Sequence, residues 1–243
     1  IVGHKMPDMD AIGAAIGVAK AAQHLGKEAF IVLEGINPSI QKMMELLKED
    51  ERLYRRFISP EQSLGLVDAR TLVVVVDTHK ASMIKEPRIL SQTGRIVVVD
   101  HHRRGEEFIP NAVLIYMEPY ASSACELVTE LLQYIHDRLV LDIREATSLL
   151  AGITVDTKSF ALRTGARTFE AASFLRRNGA DTSMVQRMLK EDLEEYLKKA
   201  DIIKHAEIVH EHIALAVTEP GQRYSQLLIA QSRMSLSTWK LDG

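Results

Sequence analysis

Two stretches of this chain are built almost wholly from β-branched apolar residues, and each closes on an aspartate. Leu72-Val73-Val74-Val75-Val76 runs into Asp77, and Ile96-Val97-Val98-Val99 runs into Asp100-His101-His102. A strand with no polar side must be covered on both faces, which is the situation of a strand inside a parallel sheet. Strand, crossover and strand again is the order of a right-handed parallel α/β unit. In such sheets ligands bind beyond the carboxyl ends of the strands. The two aspartates and the paired imidazoles therefore stand where function is expected.

The other segments arrange themselves around that pair. Ile1 to Gly3 reads as a short strand and His4 to Asp10 as a polar loop. A small-residue helix then runs from Ala11 to about Leu25 and ends at Gly26. Glu28 to Leu33 is a second strand, Pro38 opens a helix through about Leu47, and Glu49 to Leu66 looks polar and irregular. Ala81 to Leu90 is a short helix or turn, and Ala112 to Tyr116 a weaker strand. Ser123-Ala124-Cys125-Glu126 has the form of a capping box, with Leu127, Leu131, Leu132 and Ile135 continuing the helix. Asp142 with Glu145 starts another helix, which carries Asp156 near its end. Phe169 to Arg177 (closed by Asn178-Gly179) and Thr182 to Met188 are helical, and the charged stretch Glu191 to Ile208 reads as a solvated linker. Ile213 to Val217 is a strand, Pro220-Gly221 a turn, and Tyr224 onward helix-like. The expected fold is thus α/β: a parallel-sheet domain with helices on both faces over 1–188, a helical linker over 189–212, and the start of a smaller α/β domain over 213–243.

Bulk properties narrow the function. The chain has 243 residues, 46% hydrophobic and 26% charged, with a net charge of −3. That composition is ordinary for a globular protein, and no global field draws such a chain onto long nucleic acid or anionic lipid. One cysteine, Cys125, excludes an internal disulfide and a cysteine-built zinc site. No apolar run approaches the length of a membrane span and no signal peptide is visible. The chain opens strand-like at Ile1-Val2-Gly3 without an initiator Met and stops at Leu241-Asp242-Gly243, so it reads as a fragment.

The chemistry lies in four segments: His4-Lys5-Met6-Pro7-Asp8-Met9-Asp10, Asp77-Thr78-His79, Asp100-His101-His102 and Val155-Asp156-Thr157. Asp8 and Asp10, at i and i+2 in an extended loop, face one pocket. Adjacent histidines diverge, so one can meet a metal while the other reaches substrate. Each residue alone has a plainer explanation: Asp77 could cap the following turn, and Asp156 at a helix end is disfavoured by the dipole. Together, three closed apolar stretches, three imidazoles and five carboxylates point to divalent metal. Hard oxygen donors with few imidazoles favour Mn²⁺ or Mg²⁺ over structural zinc. Two ions about 3.5–4 Å apart can activate a shared water and stabilise charge on phosphorus in an in-line displacement. Such a pair needs roughly six or seven protein ligands.

The order H-x-x-x-D-x-D, V-V-D-T-H, D-H-H and V-D-T resembles the DHH phosphoesterase superfamily. The wording of Gly3–Gly13, Asp100–Ile109 and Gly152–Phe160 is similar to the catalytic part of its membrane-anchored cyclic-di-AMP phosphodiesterases. The resemblance implies one metal held by His4, Asp8 and Asp77, and a second by Asp10, Asp77, His101 and Asp156, with Asp77 bridging. It implies two Mn²⁺ (Mg²⁺ or another divalent ion as substitutes) and hydrolysis of cyclic-di-AMP to linear 5′-pApA by attack on phosphorus. His102 would face the scissile phosphate, Asp100 would orient the imidazoles, and His79 could support them. It further implies a homodimer, and a cytosolic position with membrane attachment through upstream segments. The glycine-rich G-G-G-H motif of the DHH-associated substrate-binding domain is missing from this chain. Arg103 and Arg104 could clamp a phosphate, and the N–H groups of Ser122 and Ser123, opening a helix, could bind an anion. Lys158, Arg163 and Arg167 form a basic segment that solvation alone would explain, and His205, His210 and His212 are assigned no role. The alternatives within reach are another DHH activity on short oligonucleotides or pAp, and a nucleotide sensor without catalysis.

Overall fold

In the computed structural model, residues 1–135, 139–190, 193–209 and 213–216 are described. The valine runs form β3 (Val73–Val76) and β4 (Ile96–Asp100), paired in parallel with Val76 opposite Val99. β5 (Leu114–Met117) adds to β4, again in parallel, placing Met117 beside Asp100. On the other side β1 (Ile31–Val32) pairs with β2 (Phe57–Ile58). Val2 joins the two sets through parallel bridges to Val32 and Val75. The expected strand at Ile1–Gly3 is therefore one bridging residue, held by Val2 N–H on Val74 O and by Val76 N–H on Val2 O, both at 2.9 Å. Its consequence is that His4 leaves the sheet beside Asp77.

Alternation along the valine runs explains why they lack a polar side. Val74, Val76 and Val99 enter a large core, while Val73, Val75, Ile96 and Val98 enter a smaller one on the opposite face. The large core is roofed by α1 (Met9–His24), α2 (Gln41–Lys48), α6 (Ala124–Ile135), α7 (Ile143–Asp156), α8 (Ala166–Arg177) and α9 (Thr182–Leu189). The smaller is closed by the 3₁₀ turn Ala81–Met83, α4 (Pro60–Leu66), α5 (Ile89–Gln92) and Ile109. Helices lie on both faces, unequally. Each fully buried Ile or Leu in these layers, such as Ile16, Leu127 and Leu149, contributes roughly 1.5–3 kcal/mol.

The small residues of α1 allow it to lie against α6 and α7 at close range. A Cβ on Gly152 of α7 would come within 2.5 Å of Cys125 Sγ and 2.9 Å of Asp10 Cα. α7 begins with the expected capping box, Asp142 and Glu145 each bonding the other's backbone N–H. α6 departs from expectation. Ser123 Oγ does accept from Glu126 N–H, but the Glu126 carboxylate turns to Ser122 N–H and Oγ and to Thr168 Oγ. A second departure is 49–66, which is regular: α3 (Glu51–Tyr54) capped by Asp50, then β2, then α4 with a complete Ser59–Gln62 capping box and Pro60 in its first turn.

The chain divides into two compact units, Ile1–Leu189 and Lys190–Gly243. Within the second, α10 (Leu193–Lys204) is followed by an antiparallel pair, β6 (Ala206–Val209) and β7 (Ile213–Ala216). The stretch expected to be helical through 212 thus already turns to strand at Ala206. The expected turn at Pro220-Gly221 and helix from Tyr224 lie outside the described residues. No helix among the described residues is long and apolar enough to cross a membrane.

Candidate metal centre

Asp77 has left the strand register with φ of 58°, a left-handed conformation that a non-glycine residue adopts at a cost and that concentrates at functional sites. Its backbone remains tied to the sheet through N–H on Val99 O at 2.9 Å. The turn lets the carboxylate face two ways. Oδ2 lies 3.3 Å from His4 Nε2, and Oδ1 lies 3.3 Å from His101 Nε2 and 3.6 Å from His102 Nδ1.

Around the His4 side stands Asp8, with Oδ1 3.9 Å from His4 Nε2. Asp8 also caps α1, accepting from Asp10 N–H and Ala11 N–H at 3.0 Å. Around the His101 side stand Asp10 Oδ2 at 3.6 Å and Asp156 Oδ2 at 3.4 Å from Nε2. Asp10 is completely buried, and its two oxygens accept from Ala124 N–H at 2.7 Å and Cys125 N–H at 2.8 Å, the first residues of α6. The anion bound by that helix start is the chain's own carboxylate. Ser122 and Ser123 are completely buried, with Ser122 donating to Glu126, so they do not present the anion site expected of them. Asp156 is the last residue of α7. Just past it Lys158, Ser159 and Phe160 have φ of 47°, 58° and 66°, and this left-handed turn returns Arg163 Nη2 to 3.2 Å from Asp156 O. Arg167 is spent elsewhere, forked onto Glu130.

Asp100 does not join the carboxylates around His101. It is completely buried behind them, with Oδ1 taking His102 Nδ1–H at 2.8 Å and His102 N–H at 3.2 Å, while Oδ2 lies 2.5 Å from His79 Nδ1. Arg103 and Arg104 are exposed immediately after, and the Arg104 guanidinium lies 4.2 Å over the Phe108 ring.

The electrostatics are those of a site with too much negative charge for itself. Burial, then the charges of Asp77 and Asp156, push the Asp10 carboxyl well up. Burial and Asp8 push Asp156 up to about 6. Burial works against the charged forms of His4 and His101 as well, but the Asp77 carboxylate, 3.3 Å from each, and the charges of the other carboxylates outweigh it, raising them to about 10 and about 9. Asp77 is held low despite its burial by His101 and His4. Asp100 shows the same balance: burial opposes ionisation, and His102 and His79 overcome it, bringing it to about 2.

Among the described residues, three sets of donors are close enough to share an ion: His4, Asp8 and Asp77; Asp10, His101 and Asp156; and Asp77, His101 and His102, each with its ligand atoms within 4.8 Å of one another. Asp77 Oδ1 and both ring nitrogens of His101 are buried without a hydrogen-bond partner among the described residues. A buried acceptor beside a buried imidazole, neither satisfied, is a costly arrangement that a cation between them relieves. The residues therefore fit a divalent metal, and the oxygen-rich donor set suits a hard one. His79 and Gly152 are the residues whose importance motif reading understated. The first is marked by following Asp77 at i+2, the second only by a spacing that brings Cys125 and Asp10 against it.

Fold and site together define a class: parallel α/β proteins that carry a carboxylate–imidazole centre for divalent cations at their strand ends. The chain belongs to the DHH family, whose N-terminal domain matches residues 1–153. It is 52% identical over 240 residues to the cyclic-di-AMP phosphodiesterase GdpP of Bacillus subtilis, covering 97% of this chain and 36% of that protein. It is 42% identical over 234 residues to the cyclic-di-AMP phosphodiesterase PdeA of Listeria monocytogenes, covering 96% and 36% respectively. The chain thus spans about a third of the length of these curated relatives. An exopolyphosphatase-related protein of Bacteroides fragilis shares the fold, with a TM-score of 0.70 at 18% identity over 86% of this chain and 61% of that one.

Proposed function

We propose that this chain is the catalytic region of a cyclic-di-AMP phosphodiesterase, hydrolysing the cyclic dinucleotide to linear 5′-pApA with two Mn²⁺ ions. The observation that carries the reading is Asp77, set 3.3 Å from His4 on one side and 3.3 Å from His101 on the other, with relatives that hydrolyse this nucleotide at 52% and 42% identity. His4, Asp8 and Asp77 would hold one ion, and Asp10, Asp77, His101 and Asp156 the other. Such a pair supplies a water of lowered pKa and neutralises charge developing on phosphorus.

The protein's own groups do the rest. His102, half-exposed and committed through Nδ1 to Asp100, keeps Nε2 for an oxygen of the scissile phosphate or of the leaving group, where a held proton assists departure. Asp100 fixes that ring, and its hydrogen bond and charge favour the cationic form. Arg103 and Arg104 reach the non-reacting phosphate oxygens. Asp10, clamped by two backbone N–H groups of α6, cannot swing away when protons leave the site.

Residues 1–188 are read as the catalytic domain and the chain from 213 onward as the start of a substrate-binding domain. The whole acts as a homodimer in the cytosol, attached to the membrane through other segments. β5 is an outer strand of the sheet among the described residues and exposes Leu114 and Ile115, a surface suited to a second copy. Incubating the full-length protein with Mn²⁺ and, separately, cyclic-di-AMP, pApA, pAp and pyrophosphate tests the reading. Preferred turnover of cyclic-di-AMP to pApA supports it. Preferred turnover of pAp or short oligonucleotides replaces it with another DHH activity, and unchanged turnover in Asp156→Ala contradicts the metal assignment.

A further inference from the structure

His79 is almost completely buried and is held at three points. Its carbonyl accepts from Ile109 N–H at 2.9 Å, its Nε2 accepts from Gly105 N–H at 3.3 Å, and its Nδ1 lies 2.5 Å from Asp100 Oδ2. A backbone N–H can only donate, so Nε2 carries no proton in this arrangement. The ring proton is then on Nδ1 and is donated to Asp100. Asp100 receives His102 Nδ1–H on its other oxygen. One buried carboxylate is thus spanned by two imidazoles. Gly105 and Ile109 belong to the loop that His102 itself begins, so the connections His102, Asp100, His79 and Gly105 close on themselves.

We propose that His79 is a positioning residue for His102: it fills the second oxygen of Asp100 and pins the 103–109 loop, fixing the His102 ring toward the substrate phosphate. This rests on the phosphodiesterase reading above. Without a donor from His79, Asp100 Oδ2 is left to turn toward another partner, and the bond from Oδ1 to His102 loosens with it. Support of this kind around a reacting group is worth about 10–100-fold in activity. The structure also separates the two contacts. Asparagine places an N–H where Nδ1 stood, whereas glutamine places its amide where Nε2 stood and can accept from Gly105 only.

The test compares His79→Asn, His79→Gln and His79→Ala in the full-length protein with Mn²⁺ and cyclic-di-AMP. The expected result is kcat lowered about 10–100-fold in His79→Ala and His79→Gln, largely restored in His79→Asn, with KM and Mn²⁺ affinity nearly unchanged. His79→Gln keeps the comparison meaningful if His79→Ala fails to fold. A second readout needs no turnover: long-range ¹H–¹⁵N NMR of the metal-free protein at a pH where the His102 ring is neutral. His102 is expected as the Nδ1–H tautomer in the wild type and His79→Asn, and as a mixture in His79→Gln. Equal kcat losses in Asn and Gln variants, losses that follow Mn²⁺ occupancy, or an unchanged His102 tautomer in His79→Gln would overturn the proposal. A wild-type protein inactive on cyclic-di-AMP yet showing the tautomer change would instead count against the substrate assignment alone.

Discussion

His4 and His101 lean on carboxylates that keep their imidazoles protonated, up to about 10 and about 9 against an ordinary value of 6.5. A group whose pKa is higher folded than unfolded stabilises the fold fully below its unfolded value, and that contribution disappears as pH rises through the folded one. The metal-free protein should therefore lose stability progressively between about pH 6.5 and about pH 10, measurable as a falling urea midpoint. Cations need these imidazoles neutral, so metal binding near pH 7 should release protons. Titrating Mn²⁺ into metal-free protein in buffers of different ionisation enthalpy measures that release, and Asp77→Ala should sharply reduce both the uptake and the protons.

At the scale of elements, the centre depends on how closely α1, α6 and α7 approach. Gly152→Ala puts a methyl group 2.9 Å from the Cα of Asp10 and 2.5 Å from Cys125 Sγ. It should cost about 1–3 kcal/mol, seen in thermal melts, and should weaken Mn²⁺ binding by displacing Asp10. Asp142→Ala removes the cap of α7 and an exposed contact with Arg52 Nη2 at 3.4 Å, with a loss of about 1 kcal/mol in stability and little change in metal affinity. The elements that could be read from sequence are those with a strong period or an end signal. The valine runs, the Asp142–Glu145 box and the small-residue helix before Gly26 all announce themselves locally. The α3–β2–α4 stretch did not, because a four-residue helix and a two-residue strand are too short to show a period. Its only signals are the caps at Asp50 and Ser59. Ser122 and Ser123 misled because a helix start looks the same whether its anion is a ligand or, as here, Asp10 from 114 positions earlier. Long-range partners of that kind are set by packing and leave no trace in local spacing.

Across the molecule, four segments separated by as many as 152 positions, from His4 to Asp156, meet around Asp77. The sheet order brings this about: Val2 beside β3 sets His4 against Asp77, β4 beside β3 sets His101 there, and α1 against α7 brings Asp10 and Asp156 to the same place. The proposed function requires that this convergence hold two cations with Asp77 between them. Crystals of the protein soaked in Mn²⁺, with diffraction recorded at the manganese absorption edge, decide the matter. Two anomalous peaks are predicted, one touching His4, Asp8 and Asp77, the other touching Asp10, Asp77, His101 and Asp156. A single peak that leaves Asp77 untouched, or none near it at saturating Mn²⁺, would rule out a cation pair shared by Asp77.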